Sequence, residues 1–394
     1  MKRIAHVLGA LLLVSIALPS GPFQQDAKVP SEPVTLRYVP KAKERIQHNW
    51  VATHKLAATQ VLSQIEGEAL RTETVLPTLD TKERRVTTDW IQRAQGGRIQ
   101  RMRRIWNEAA IWGKLDFHVP EVDPLEVTLK SPLGNPSTSV VYSHVPDEDS
   151  YGAYFDQSAM VESLLGGVRL HNTCASLLPS EPVRVGDSWN VELKHLIELL
   201  APTGAMDYRQ IKPGGGMLIR TLLMGVGGCA ESVWNPSDLK GHLRCKMVRV
   251  VGKGELVMAH VELDYKFVTS QDRSAAAEEL QMLGESRRGT IVLHNGVRHS
   301  GEGAGTLIWN MALNRAHTYR LNGTQLLELE VQTQALHQPA VTQRMTLKGT
   351  AEVQYRASVV QSNEFPRPWT RNPRERSVPD TAESKPGKVE SGGD

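Results

Sequence analysis

The residues that could do chemistry are scattered along this chain rather than gathered. His171 and Cys174 stand three apart, a spacing open to a Cys–His nucleophile pair. Such a pair needs a third, orienting group and an oxyanion site, and the surrounding sequence offers neither. His294 and His299 flank Asn295-Gly296. If that dipeptide turns a two-residue hairpin, the imidazoles become diagonal neighbours on one face, roughly 7–8 Å apart at the backbone. Two ligands without a third do not make a metal site. The thirteen His contain no His-Glu-x-x-His, and there is no Gly-x-Ser-x-Gly nucleophile elbow. Asp147, Glu148 and Asp149 form an acidic run that lacks the Gly and terminal Glu of a calcium loop. The sequence therefore assigns no catalytic, cofactor-binding or metal-ligating residue.

Two further groupings concern charge and sulfur. Arg84, Arg85, Arg93, Arg98, Arg101, Arg103 and Arg104 cluster around one predicted hairpin. Alternation puts Arg101 and Arg103 on one face and Arg98 and Arg104 on the other, with stems covering apolar sheet and heads reaching water. That split argues against a single basic platform. Net charge is 46 − 43 = +3, without the footprint of a nucleic-acid binder. Aromatics at 5% are too few for a stacking platform. Three Cys exclude a disulfide-dense scaffold. Cys229 and Cys245 are the disulfide candidates. Cys229 to Trp234, a turn at Asn235 to Asp238, and Leu239 to Cys245 read as a hairpin that sets the two sulfurs opposite each other, within disulfide reach. Cys174 is left free.

The elements that must position these residues lie between two distinctive ends. Lys2 and Arg3, the apolar stretch Val7 to Leu18, and Pro19-Ser20-Gly21 read as a secretory signal peptide over residues 1–21. The apolar run falls short of the ~20 residues a spanning helix needs. Export to the periplasm or outside, as a soluble chain after cleavage, is the expectation. Residues 362–394 carry balanced charge and no core, the signature of a disordered tail. A β-rich N-terminal half over 28–201 and a C-terminal meander over 217–361 are expected, with a Pro/Gly-rich seam from Pro202 to Gly216. Ser31-Glu32-Pro33-Val34 recurs as Ser180-Glu181-Pro182-Val183, a weak hint of duplication.

Strand signals dominate. Thr87 to Gln95, Gly96-Gly97 and Arg98 to Trp106 read as a hairpin. Thr290 to His294 with Val297 onward, and Tyr319 to Leu321 with Thr324 to Gln332, read as two more, turning at Asn295-Gly296 and Asn322-Gly323. Thr306 to Met311 runs to a turn at Asn314-Arg315, and Thr346 to Val360 alternates throughout. Short helices are expected after Asp156 (Met160, Val161, Leu164, Leu165), over Leu193, Leu196, Ile197 and Leu200, and from Ser274 over Ala275 to Leu283. The fold class is mainly β to α+β: curved antiparallel sheet with a few short covering helices.

Pro182-Val183-Arg184-Val185-Gly186-Asp187-Ser188-Trp189 resembles a segment of an uncharacterised family of secreted bacterial β-rich proteins with a mid-chain P-V-x-V-G-D-S-W motif. The strand Gly303-Ala304-Gly305-Thr306-Leu307-Ile308-Trp309 and the turn Ser131-Pro132-Leu133-Gly134 resemble others of that set. The resemblance implies a leader and a β-rich body but no activity. The pattern is more distantly similar to periplasmic lipoprotein-carrier sheets, an analogy only. Physically, Gly186 permits a left-handed turn, Asp187 and Ser188 can bond nearby amides, and Trp189 packs inward. Gly303-x-Gly305 leads into a strand and is no phosphate loop. The expectation is a non-enzymatic envelope protein, a binding or structural module that could hold a lipid-like ligand in its concavity. The alternative is an extracytoplasmic hydrolase whose site forms only in three dimensions. The expected partner is an apolar ligand or envelope component rather than nucleic acid, and no cofactor is expected.

Overall fold

The computed structural model describes residues 32–65, 68–72, 76–119, 123–135, 138–148, 150–156, 162–165, 168–170, 173–204, 206, 209–210, 236–272, 291–334 and 339–360. Within them the chain is a curved, open, antiparallel sheet. Its strands are β1 (Arg45–Ile65), β2 (Glu68–Thr72), β3 (Thr78–Gln95), β4 (Arg98–Asp116), β5 (Leu125–Lys130), β6 (Ser139–Val145) and β7 (Ser150–Phe155). They continue as β8 (Ser188–Val191), β9 (Arg209–Gln210), β10 (Lys240–Val251), β11 (Met258–Asp272), β12 (Ile291–Asn310), β13 (Arg315–Gln334) and β14 (Val341–Val359). The order across the sheet is β7-β6-β4-β3-β1-β14-β13-β12-β11-β10-β8. The C-terminal strands β10 to β14 are the expected meander. β14 also pairs with β1 from Ile46↔Val359 to Ile65↔Val341, so the N- and C-terminal strand sets share one sheet.

Alternation explains one face. Ile46, Trp50, Ala52 and Leu56 on β1, Leu347, Val353 and Tyr355 on β14, and Leu243, Cys245 and Met247 on β10 are buried, while their sequence neighbours are exposed or half-buried. Period-two burial of this kind is what one buried sheet face requires. The inner face is met by a segment with little regular structure. It has 3₁₀ turns at Glu162–Leu165, Ala175–Leu177 and Leu193–Leu196, the last running into α1 (Ile197–Leu200). Leu165, Val168, Leu177, Leu196, Leu199 and Met206 join the core from this segment. The expected helix over Leu193 to Leu200 is thus one 3₁₀ turn and one α turn, and its most buried residues are Leu196 and Leu199. After Asp156 only the turn Glu162–Leu165 is described, and the helix expected from Ser274 lies outside the described residues.

The hairpin at Gly96-Gly97 is as expected, with positive φ at both residues (59° and 75°) and Gln95 paired to Arg98. The turn before Arg315 also forms, with Asn314 at φ 51°. The other two Asn-Gly hairpins do not form. β12 runs straight through Asn295-Gly296 and β13 straight through Asn322-Gly323. Gly303 and Gly323 face each other across β12 and β13, and a Cβ on either would lie 2.7 or 2.6 Å from the Tyr265 hydroxyl. A Cβ on Gly301 would lie 2.7 Å from the Phe267 ring. These glycines make room for two aromatic rings reaching across from β11; they do not turn the chain.

The repeated tetrapeptides meet. Val34 and Val183 form an antiparallel bridge with N–H···O bonds of 2.8 and 2.9 Å. The motif that follows behaves as read. Gly186 has φ 102°, the Arg184 amide donates to Asp187 Oδ2 at 2.8 Å, and the Trp189 indole N–H donates to the Leu177 carbonyl at 2.8 Å.

Candidate functional site

Polar residues occupy inner-face positions where alternation calls for apolar ones. On β3 the inward series is Leu79, Thr81, Glu83, Arg85, Thr87, Asp89 and Ile91, all buried. Two arginines organise it. Arg104, fully buried, donates from Nε and Nη2 to the two Asp89 oxygens at 2.7 and 2.8 Å. It also donates to the main-chain carbonyls of Arg169 at 2.9 Å and Leu170 at 3.3 Å. Arg85 donates from Nε to Glu83 at 2.8 Å and from Nη1 to the Pro202 and Gly204 carbonyls, both at 2.7 Å. Trp50 and Tyr319 both donate to the Leu199 carbonyl, at 3.1 and 3.0 Å. The last carbonyls of a helix have no partner within it, so the inner face caps α1 and the turn after it. Thr203 sits in that turn at φ 77°, a strained conformation for a β-branched residue. The covering segment is therefore fastened to the sheet largely through its carbonyls, by buried arginines each matched to an acid on the same face.

Next to the Arg104 clamp lies a cavity of about 20 Å³ walled by Tyr38, His48, Asp89, Ile91, Arg315 and Tyr355. Tyr355 and His48 Nδ1 are hydrogen-bonded at 2.6 Å, and His48 Nε2 lies 3.3 Å from Asp89. Arg315 pairs with Glu44 through Nη2, while its Nε and Nη1 are buried without a partner. Burial by itself would raise the Asp89 carboxyl. The Arg104 charge and hydrogen bonds, helped by His48, outweigh it and hold Asp89 well below the usual carboxylate range. Burial pushes the Tyr355 hydroxyl well up, so it stays protonated. The cavity admits about one water. A Tyr–His–Asp chain lines this cavity.

Further along the inner face, the Gln325 amide links two buried imidazoles. It lies 2.5 Å from His54 Nδ1 and 3.1 Å from His299 Nε2. Nε2 of Gln325 donates to His54 Nδ1, which requires that ring to be neutral, and Oε1 of Gln325 accepts from His299 Nε2–H. Burial, then the neighbouring His299, pulls His54 down to about 4, and burial lowers His299 as well.

The residues singled out in the sequence are placed as follows. His299 belongs to this inner string, whereas His294 pairs with Asp272 at 3.1 Å on the outer face. They are five residues apart on one continuous strand, not diagonal across a hairpin. Among the described residues no group of three or more His, Cys, Asp or Glu is arranged for a metal. Asp147 and Glu148 sit in an exposed turn, and Asp149 lies outside the described residues, as do His171 and Cys229. Cys174 and Cys245 are buried free thiols, and burial pushes Cys245 up to about 12. Cys245 lies between Leu263 of β11 and Trp189 of β8. Both edges of β10 are taken there, and Cys229, the other half of the expected disulfide, lies outside the described residues.

The arginine reading needs correction at two positions. Arg85 and Arg104 do not send their heads to water; both are buried and paired. A signal for one was available. In a hairpin centred between Gly96 and Gly97, residues whose numbers sum to 193 face each other, and Asp89 and Arg104 do. The links from Arg85 and Arg104 to residues 169–204 had no local signal, because they join segments 65 or more residues apart.

The outer face is built differently. Across β3, β1, β14, β13, β12, β11 and β10 one row reads Arg84, Val51, Gln354, Arg320, Thr306, Glu262 and Lys246. The next reads Lys82, Thr53, Glu352, Asn322, Ala304, Asp264 and Arg244. The ion pair Arg320–Glu352 at 2.6 Å links the two rows, and Arg84 pairs with Glu108 of β4 at 3.0 Å. A lipid-facing Arg or Lys at mid-bilayer costs about 2–4 kcal/mol, so this surface is chemically suited to water. No helix among the described residues is long and apolar enough to cross a membrane.

No protein-family model matches the chain, and no curated protein matches it. Among solved structures it is similar to an outer membrane channel from Pseudomonas putida F1, at 8% identity over 82% of this chain and 98% of that one, TM-score 0.21. It is also similar to the outer membrane protein OprG from Pseudomonas aeruginosa, at 7% identity over 81% of this chain and 98% of that one, TM-score 0.20. Likeness at this level carries no argument about what the chain does.

Proposed function

We propose that this chain is an exported, non-enzymatic envelope protein that holds a lipid-like apolar ligand between the inner face of its sheet and the covering segment. The observation that carries the reading is how that segment is attached. Its apolar side chains lie on the apolar inner face, but its anchors are hydrogen bonds from Arg85, Arg104, Trp50 and Tyr319 to main-chain carbonyls. Apart from β8, which stays paired with β10, a cover held at a few polar points can part from the apolar surface beneath it. The cavity beside the Arg104 clamp is about 20 Å³, so an acyl chain enters there only as the cover moves. The charged outer face supports a water-borne protein, and the leader Lys2 to Gly21 supports export. The resemblance carried by Pro182 to Trp189 fits a secreted β-rich family. The hydrolase alternative draws on Tyr355, His48 and Asp89, but that carboxylate is locked by Arg104 beside a one-water cavity.

The test is mass spectrometry of organic extracts from full-length protein purified from its native host. Stoichiometric co-purifying lipid, and saturable uptake of a fluorescent fatty acid that the lipid displaces, are expected. Neither extractable lipid nor probe uptake would leave a purely structural module. Ester or glycoside turnover abolished by His48→Gln would move the protein to the hydrolases.

A further inference from the structure

One end of the outer face departs from the balanced charge of the rest. Arg93 and Arg101 are directly paired across β3 and β4, and both are exposed. Like charges placed opposite each other destabilise a sheet, so fold stability does not account for this pair. Arg103 lies two residues from Arg101 on the same face, and the Arg101 charge lowers the Arg103 guanidinium after burial does. Two irregularities of register, between Ile91 and Arg93 and between Arg93 and Ala94, bring Arg93 to this face. β1 adds Arg45, opposite Trp90, which is itself opposite Arg103. The Arg45 and Arg103 guanidiniums lie 5.1 and 5.8 Å from the Trp90 ring centre, one from each neighbouring strand. Stacking on an indole holds a guanidinium plane in place. Among the described residues, Asp156 pairs with Arg103. Asp147 and Glu148 lie in the turn beyond Ser143, with Glu148 accepting from Ser150 at 3.0 Å. Arg104 lies on the face opposite Arg101 and Arg103 as expected, but the irregular register turns Ile99 inward and leaves Arg98 exposed, and together with β1 it rebuilds a basic cluster on one side.

We infer that the outer-face patch of Arg45, Arg93, Arg101 and Arg103 around Trp90 binds an anionic polysaccharide bearing carboxylates. Guanidinium forks match carboxylates bidentately. Two strands apart, Arg45 and Arg103 are roughly 9–10 Å from each other along the hydrogen-bonding direction, and Arg101 and Arg103 are about 7 Å apart along the strand. Charges so spaced meet a polymer that repeats its anion, not a single ion. Ser143, opposite Arg101, and Tyr154, next to Val141 in the Arg103 row, supply hydroxyls for a sugar. The Trp90 indole is flanked by guanidiniums, which removes the open aromatic face that base stacking uses. Tyr154 is the one large apolar residue exposed in this row, at 39%, too little to insert into a membrane surface. This inference is independent of the carrier reading, since it concerns the opposite face of the sheet.

The test is titration of the full-length protein with fluorescently labelled polygalacturonate, followed by salt. Binding should weaken steeply as salt rises. Arg93→Gln with Arg101→Gln, both exposed, should weaken it about tenfold, two surface ion pairs at up to 1 kcal/mol each. Arg320→Gln with Lys266→Gln, elsewhere on the outer face, should leave it unchanged. An unweakened Arg93/Arg101 variant, or equal binding to a neutral dextran, overturns the inference. Tighter binding to single-stranded nucleic acid of equal charge overturns the carbohydrate assignment.

Discussion

At the residue scale, two substitutions test whether small and neutral side chains on the inner face are there for packing. Gly301→Ala puts a methyl 2.7 Å from Phe267 Cε1 and 3.2 Å from the Thr324 carbonyl. Overpacking of this kind costs about 1–3 kcal/mol. Phe267→Leu in the same chain should recover part of that loss, measured as a double-mutant cycle by urea unfolding, because the nearer clash is with the ring. Equal losses that simply add would mean the glycine serves backbone conformation instead. His54 gives a pH signature. Its folded pKa near 4 lies below the ordinary 6.5, so the unfolded chain takes up the proton first. The contribution of His54 is full above about pH 6.5 and is lost progressively as pH falls toward 4, reaching the order of 3 kcal/mol. Urea midpoints should fall between about pH 7 and 5, and His54→Gln should flatten that slope. An unchanged slope in the variant would place the titration elsewhere.

At the element scale, the issue is what fastens the cover. Arg104→Leu leaves Asp89 buried without its main partner, and breaking a buried pair on one side costs about 3–5 kcal/mol. Arg104→Leu combined with Asp89→Leu removes both charges and should recover most of that stability, since apolar replacement of a whole buried pair is often neutral. The carbonyls of Arg169 and Leu170 would still lose their donor, so proteolysis within residues 168–204 should speed up even in the stabilised double variant. Arg85→Met should act similarly at Pro202 and Gly204. A double variant as protease-resistant as the parent would show that the apolar contacts alone hold the segment.

For the whole molecule, the seam between β1 and β14 is decisive. Nineteen residue pairs span it, from Ile46↔Val359 to Ile65↔Val341, and Arg85 of β3 reaches Pro202 and Gly204 in the same core. Residues 28–216 and 217–361 expressed separately should therefore each lack cooperative unfolding, while a mixture of the two should regain it. Independent cooperative transitions in both fragments would make the two strand sets separate domains. The same continuity explains the outer face. Charges on strands from both ends of the chain alternate across one surface, which requires a single register.

Period-two alternation in Thr346 to Val360 and the Gly96-Gly97 turn were enough to determine a curved antiparallel sheet with a C-terminal meander. Both signals are local: side-chain direction has a period of two, and paired positive φ is cheap only for glycine. The Asp89–Arg104 pairing was also within reach, because a two-residue turn dictates which residues face each other. Asn322-Gly323 misled because a glycine that turns a chain and a glycine that admits a neighbour's ring look alike in sequence, whereas a Cβ on Gly296 would meet His294 of its own strand. Only the approach of Tyr265 and Phe267 from β11 separates the two cases. The same holds for Arg85 and Arg104. Whether an arginine head reaches water or caps a carbonyl 65 or 119 residues away depends on what is packed over the sheet. That is a matter of contacts between distant segments, and the tertiary structure alone decided it.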